Sequence, residues 1–542
     1  MMYEVREKQT GSMLTRDRVR LDADIYYPDG EGPFPVLLMR QPYGRAIAST
    51  VVYAHPIWYA SHGYIVVIQD VRGRGTSEGE FKLFESEIED GYDAVNWAAS
   101  LAGSSGDVGM YGFSYQGMTQ LYAAVERPPA LKAICPAMLG YDLYHDWAYE
   151  GGAFCLQANL GWAIQISAET ARLKGDEPTF LALSQAAKNL PLSSRLPARP
   201  EILHDLDSFY EEWLDRPAGD PYWQKLSPKT YLEAFDLPML HIGGWFDPYL
   251  RGTLNLYKAM QSSDRPQHLV VGPWAHLPWG RKVGALDYGA AAVSGCDRLQ
   301  IQWFDQFLKG IDTGLLQDAP VQLFEMGRNE WKALPHYPTS PSKLFFLTSS
   351  GLAGMDDRDG HLIAYPSSLS PAIDLLVHDP WRPVPALGGH AVAPSGSFDR
   401  ATLDCRSDIL TYTSDPLTED LHLVGDVFAE FYCTADQPSF DLCAVLSEVK
   451  PNGSVYNFTQ GYVRVDTPQE LLQMTLQPTC IQISQGSAIR LSLSGACFPA
   501  YPVNGGTGSP PGEAKAIDAQ IITIALRSGG DFPSRVRLPI QF

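Results

Sequence analysis

Apolar residues follow two rhythms along the chain. Up to about residue 320, short continuous apolar runs alternate with segments of helical period. Residues 18–27 alternate as in a half-buried strand, while 35–40 (PVLLMR) and 64–69 (YIVVIQ) predict strands buried on both faces. Ser86-Glu87-Ile88-Glu89 has the form of a capping box ahead of a helix ending near Ala99, with Ile88, Tyr92, Val95 and Ala98 or Ala99 along its apolar face. A further strand leads into Gly112, a helix follows it, and another strand is expected at 131–135. Strands and helices in this alternation predict a parallel sheet with crossover helices.

Between about 141 and 237 the strand pattern gives way to helical periods over 154–173 and 201–214, broken by Pro191, Pro197, Pro200 and Pro217. A helical insertion at this point is expected to lie over the strand ends as a cap that shapes a pocket. The sheet pattern resumes at 238–242, followed by a helix over 250–260, a strand over 268–271 and a helix over 297–308.

Beyond Pro320 a period of two dominates. Strands are expected at 321–324, 343–347, 424–433, 442–449, 481–484, 489–493 and 521–525, and Asn452-Gly453 marks a hairpin between 442–449 and 455–458. Many short strands with few helices predict a β-sandwich of jelly-roll type. The expected organisation is therefore an α/β core over 1–140 and 238–319, a helical cap over 141–237, and a β-sandwich over 320–542.

Composition narrows the partners. The formal net charge of −21 is spread along the chain, which argues against nucleic acid and anionic membrane surfaces. The N-terminus has no apolar leader and no run of about 18 apolar residues occurs, so a cytoplasmic protein is expected. The eight cysteines lack a C-x-x-C pair and read as buried thiols in a reducing compartment. No H-E-x-x-H or clustered His/Cys spacing suggests a metal.

The candidate chemistry centres on Gly112-Phe113-Ser114-Tyr115-Gln116-Gly117, a G-x-S-x-x-G string between a strand and a helix. The turn would expose the Ser114 hydroxyl beside the first N–H groups of the helix. On letters alone the string is weak, because Gln116 stands where the second glycine usually falls. A hydroxyl nucleophile also needs a base and an acid that orients it. Asp247 and His276 each follow an apolar strand, in the chain order Ser, acid, His of α/β-hydrolases. Among the twelve histidines, His241 and His268 fall inside predicted strands, His62 in a turn, and His336, His361, His378, His390 and His422 in or near the β-rich part; its order with Ser114 and Asp247 favours His276 as the base. Asp70 also follows a strand, but it precedes the elbow and is expected to pair with Arg72 or Arg74. The glycine-rich loop 70–79 is not a phosphate cradle, since no helix follows at once and no P-loop lysine is present. An oxyanion would take the Tyr115 N–H. Tyr43, in the loop after an early strand, reads either as a packing aromatic or as a phenol donor.

Five segments then resemble the CocE/NonD hydrolases of the Xaa-Pro dipeptidyl-peptidase (S15) class: 64–80 (YIVVIQDVRGRGTSEGE), 108–120 (VGMYGFSYQGMTQ), 243–249 (GGWFDPY), 270–276 (VVGPWAH) and 385–389 (PALGG). They run nearly end to end. The resemblance implies an α/β-hydrolase core, an inserted helical cap and a C-terminal jelly-roll (galactose-binding-like) domain. It implies Ser114 as nucleophile, His276 as base, Asp247 as its orienter, and oxyanion donation from the Tyr43 hydroxyl and the Tyr115 N–H. It also implies an acyl-enzyme, no cofactor, a small-molecule ester or amide substrate, and a homo-oligomer.

Phe154, Trp162, Trp245, Phe246 and Trp274 are the aromatic candidates for pocket walls. Relatives acting on α-amino acid esters carry extra carboxylates just after the catalytic acid, whereas Asp247 is followed here by Pro248-Tyr249-Leu250-Arg251. Asp142, Asp146 and Glu150 could supply one negative charge, although a solvated face is the expected reading. The function expected is hydrolysis of a carboxylic ester. Alternatives are an Xaa-Pro dipeptidyl-peptidase, an amino-ester hydrolase or acyltransferase on the same residues, and a non-catalytic binding protein with a vestigial site.

Overall fold

The computed structural model describes residues 2–541 apart from 47–49, 193–195, 340, 367–370 and 468. Ten strands form the first sheet: β1 (Gln9–Leu14), β2 (Arg20–Tyr26), β3 (Phe34–Gln41), β4 (Ile65–Asp70), β5 (Ser104–Phe113), β6 (Leu131–Ala137), β7 (Met239–Phe246), β8 (Gln267–Ala275), β9 (Val321–Glu325) and β10 (Glu330–Leu334). Their order is β1-β2-β4-β3-β5-β6-β7-β8-β9-β10. From β4 across to β9 every neighbouring pair is parallel. The long apolar runs explain this, because β3, β4, β7 and β8 are buried at every position, as a sheet covered on both faces requires.

Helices α1 (Glu87–Ala99) and α2 (Tyr115–Val125) cover one face, and α7 (Cys296–Leu308) lies on the other. The cap between β6 and β7 contains α3 (Leu156–Lys174), α4 (Glu177–Lys188) and α5 (Phe209–Asp215), and α6 (Leu250–Met260) follows β7.

Several details differ from the sequence pattern. Helix α1 has the expected length, but Ser86 makes no side-chain capping bond, and the buried face carries Glu87, Asp90, Gly91, Ala94, Val95 and Ala98 rather than Ile88 and Tyr92. Two arginine partners outweigh hydropathy there: buried Arg40 meets Glu87 at 2.6 Å and partly exposed Arg72 meets Asp90 at 2.7 Å. The helical period at 201–214 splits into a short 3-10 turn and α5, because the Ser208 side chain accepts from the Tyr210 N–H and starts a new helix. Strands β9 and β10 continue the first sheet, β9 in parallel register with β8, so that sheet extends past residue 320 to Leu334.

The second sheet has eleven strands. Its longest, Leu421–Ala435, pairs with Leu471–Ile483, and the Asn452-Gly453 hairpin joins Phe440–Val449 to Val455–Val465 as its dipeptide predicts. The fold is an α/β-hydrolase core with an inserted helical cap and an all-β C-terminal domain. All eight cysteines are free thiols, with Cys405 exposed and the other seven buried. Among the described residues no helix is long and apolar enough to cross a membrane.

Candidate active site

Strand β5 ends at Phe113 and α2 begins at Tyr115, so Ser114 alone makes the turn, with φ 60° and ψ −126°. A non-glycine residue in that region is strained, and the strain is held by its surroundings. The Ser114 N–H donates to Ala137 O at 2.9 Å, while Ser114 O accepts from the N–H groups of Gly117 and Met118. The two glycines of the string have steric causes. A Cβ on Gly112, whose φ is +142°, would meet the Gln116 Cβ at 2.4 Å, and one on Gly117 would meet Ala137 O at 2.7 Å. The second glycine is therefore required where α2 crosses β6, and Gln116 is accommodated because Gly112 has no side chain. Tyr115 opens α2, so its N–H is among the first-turn donors with no acceptor inside their own helix.

Asp247 follows β7 and His276 follows β8, two strands in parallel register. His276 Nδ1 lies 2.8 Å from Asp247 Oδ1, and the carboxylate is fully buried while the imidazole is about a quarter exposed. The imidazole packs between two rings, with centroids 5.3 Å from Phe113, the residue before Ser114, and 5.0 Å from Tyr249. The indole N–H of Trp279 donates to His276 O at 3.1 Å. The structure thus packs the acid–imidazole pair on Phe113, the residue before the strained serine, with imidazole Nε2 as the nitrogen not engaged by Asp247.

Tyr43 is brought to the same place from the loop after β3. Its hydroxyl accepts from Trp162 Nε1 at 3.1 Å, with the Ser114 side chain close enough to act on it electrostatically. Burial pushes the phenol up to about 12, so the hydroxyl stays protonated and able to donate at neutral pH. Beneath the elbow, Tyr115 turns its hydroxyl to Glu87 Oε1 at 2.8 Å, and Arg40 binds the other oxygen of the same carboxylate. Thr119 Oγ1 donates to Arg40 O at 3.2 Å, which fastens α2 to β3.

Asp70 pairs with neither Arg72 nor Arg74. Its carboxylate takes Arg45 Nη1 at 2.6 Å and Gln41 Nε2 at 3.0 Å, because the chain after β3 folds back across the β4 end. Of the three acidic residues at the cap's start, Asp142 is partly exposed and lies 3.5 Å from Lys229, while the other two are buried rather than solvated. Asp146 is buried and accepts from the Asp142 N–H and from Asn255 Nδ2. Glu150 is also buried, with its Oε2 at 2.8 Å from His390, 2.5 Å from the Tyr501 hydroxyl and 2.9 Å from Arg251 Nη1. Burial opposes the Glu150 charge, but Arg251 and His390 outweigh it and hold the carboxyl below the usual range.

Of the aromatic candidates, Trp162 reaches the site. Trp245, Phe246 and Trp274 lie in packed cores: Trp245 donates to Phe324 O at 2.7 Å, Trp274 donates to Ala292 O at 2.7 Å, and Phe246 packs with Tyr288. Their strands are buried on both faces, so proximity in sequence to Asp247 and His276 did not place them beside the serine. Phe154 is fully buried against Tyr149 and Tyr210. The rings that do connect the site are Tyr249, Trp147 and Trp162: Trp147 lies 4.2 Å from Tyr249 and 5.3 Å from Trp162. A residue with no sequence signal is Gln477, whose Nε2 donates to Asp247 O at 2.7 Å from the β domain. His390, by contrast, stands directly after the 385–389 segment.

Comparison with known proteins gives a consistent result. Residues 17–278 match the X-Pro dipeptidyl-peptidase (S15) family, and residues 313–537 match the X-Pro dipeptidyl-peptidase C-terminal non-catalytic domain. The chain is 31% identical to the cocaine esterase of Rhodococcus sp. (strain MB1 Bresler), over 97% of each chain. Among solved structures it is similar to an aminopeptidase from a marine sediment Thaumarchaeota archaeon, with a TM-score of 0.84, 22% identity, and coverage of 100% of this chain and 97% of that one. An α-amino acid ester hydrolase gives a TM-score of 0.79 at 23% identity, covering 99% and 97%. The matched domains, in this order and over nearly the whole length, show that the chain belongs to the CocE/NonD group of S15-class serine hydrolases.

Proposed function

We propose that the chain hydrolyses carboxylic esters through an acyl-enzyme formed on Ser114. The observation that carries this reading is the strained Ser114, with the Tyr43 phenol close to it and, packed on the preceding Phe113, a histidine held at 2.8 Å by a buried aspartate. In the reaction, Ser114 Oγ attacks the ester carbonyl carbon and its proton passes to His276 Nε2. Asp247 fixes the Nδ1–H tautomer and stabilises the imidazolium. The oxyanion of the tetrahedral intermediate accepts from the Tyr43 hydroxyl and the Tyr115 N–H, both set in place before substrate arrives. Collapse expels the alcohol, which takes the proton from His276. Water, deprotonated by the same imidazole, then attacks the acyl-enzyme, and the carboxylic acid leaves Ser114.

The 31% identity to a cocaine esterase supports an ester over an amide. An α-amino ester substrate is disfavoured, because its ammonium would need a free carboxylate. Glu150 is already bound to Arg251, His390 and Tyr501, Asp146 is bound to Asn255 and a backbone amide, and Asp142 accepts from the Tyr144 and His145 N–H groups and pairs with Lys229. The test is a set of p-nitrophenyl esters and p-nitroanilides against wild type and Ser114→Ala, with fluorophosphonate labelling in parallel. Ester turnover and labelling, both lost in Ser114→Ala, are expected. Unlabelled wild-type protein with no turnover above the variant would end the proposal.

A further inference from the structure

The loop after β4, rejected above as a phosphate cradle, carries Arg74. Its side chain is 1% exposed, yet Nε and Nη2 have no hydrogen-bond partner among the described residues. Nη1 makes one long bond, 3.3 Å to Ile166 O, and the guanidinium lies 3.8 Å over the Phe81 ring. Two other buried arginines provide the comparison. Arg40 has Glu87 at 2.6 Å and Arg400 has Asp404 at 3.3 Å, whereas no carboxylate of the described residues lies within 4.0 Å of Arg74. A buried cation without a counter-charge is unfavourable, and burial pushes this guanidinium down to about 10.

Its position relates it to the reacting centre. The Ile166 carbonyl that Arg74 touches is on α3, four residues beyond Trp162, whose indole holds the Tyr43 hydroxyl. Four residues along a helix is about one turn, roughly 5.4 Å. Arg74 also lines a cleft of about 610 Å³ between the 73–85 loop and the cap, with Phe81, Ile166, Thr170, Phe209 and Tyr222. Phe209 in turn packs on Trp162 at 4.8 Å. The rim carries both signs, Lys82 and Lys174 against Glu80, Glu85, Asp207 and Glu212, so selection for charge falls to the buried guanidinium.

We propose that Arg74 is the anchor of an anion subsite, and that the preferred substrates are esters whose acyl part ends in a carboxylate, such as hemiesters of short dicarboxylic acids. The free Nε and Nη2 form the guanidinium edge that a carboxylate grips with two parallel hydrogen bonds. This deepens the esterase reading and rests on it for the reaction.

The test compares p-nitrophenyl butyrate with the mono-p-nitrophenyl esters of succinic, glutaric and adipic acids. Wild type is expected to favour at least one hemiester in kcat/KM. Arg74→Met is expected to lower the hemiester-to-butyrate ratio at least 30-fold, and Arg74→Lys to recover part of it. Calorimetry on wild type, which needs neither a variant nor turnover, is expected to show glutarate binding and no binding of the uncharged glutaric diamide. An unchanged ratio in Arg74→Met, or no glutarate binding to wild type, overturns the subsite. Should Ser114→Ala match wild type on butyrate, the esterase reading fails instead, and the calorimetry still decides the anion site.

Discussion

Gln477 donates its Nε2 to the backbone carbonyl of Asp247 at 2.7 Å, across 230 residues of chain. The β domain therefore holds the loop that presents the carboxylate to His276. Asp247 O also accepts from the Leu250 N–H at 3.2 Å, so removing Gln477 costs one of two bonds, about 0.5–1.5 kcal/mol. With most of that loss felt when the imidazolium forms, Gln477→Leu is expected to lower kcat by roughly twofold to tenfold, at about 1.4 kcal/mol per decade, with KM little changed. Steady-state kinetics on a neutral ester measure the split, and a change confined to KM would place the contact in substrate binding.

Tyr43 and Trp162 make a second pair that kinetics can separate. Removing one oxyanion donor costs about 10²–10³ in kcat. Tyr43→Phe is expected in that range, with the acyl-enzyme formed slowly but at the same serine. Trp162→Phe removes the bond that orients the phenol and leaves the donor itself, so a smaller loss of about tenfold is expected. Pre-steady-state release of p-nitrophenol reads both, and equal losses in the two variants would contradict the assignment of the hydroxyl.

The backbone at Ser114 predicts a stability effect opposite in sign to the activity effect. A non-glycine residue in such a region stores about 1–3 kcal/mol. Ser114→Gly is expected to abolish turnover and to stabilise the fold by about 1 kcal/mol, after the extra chain entropy of glycine is subtracted. Ser114→Ala is expected to abolish turnover without that gain. Urea or thermal unfolding of the three proteins decides it.

Glu150 predicts a pH dependence. Its folded carboxyl lies below the usual range because Arg251 and His390 outweigh burial, so it contributes stability above the unfolded value, about 4.3 for a glutamate, and loses it as pH falls through the lower folded one. Glu150→Gln leaves the largely buried Arg251 without its counter-charge, and a loss of about 2–4 kcal/mol is expected at pH 7. The gap between wild type and variant is expected to stay level between pH 6 and 7 and to narrow below about 4.3. Unfolding measured across pH tests the sign, since a gap that widens on acidification would rule out the ion pair as its source.

Much of this architecture was legible because buried parallel strands leave unbroken apolar runs. The strands before Ser114, Asp247 and His276 could be found that way, and chain order then linked the three residues. Helix α1 was legible in extent but not in phase, since Glu87 and Asp90 look like surface residues until their arginine partners are placed. The same limitation hid Glu150, whose partners lie at positions 251, 390 and 501. Trp245, Phe246 and Trp274 misled because the strands that carry them are buried on both faces, so an aromatic there packs in a core whichever way it points. Gln477 could not have been found at all, because a single glutamine in a strand carries no periodic or motif signal.

The Glu150 cluster also sets an order of events during synthesis. As the chain leaves the ribosome, Glu150 and Arg251 emerge together with the first sheet, but His390 and Tyr501 follow much later. Until they arrive, the segment that opens the cap has only one of its three partners. That segment is thus fastened only near the end of translation, after Ser114, Asp247 and His276 have all been made.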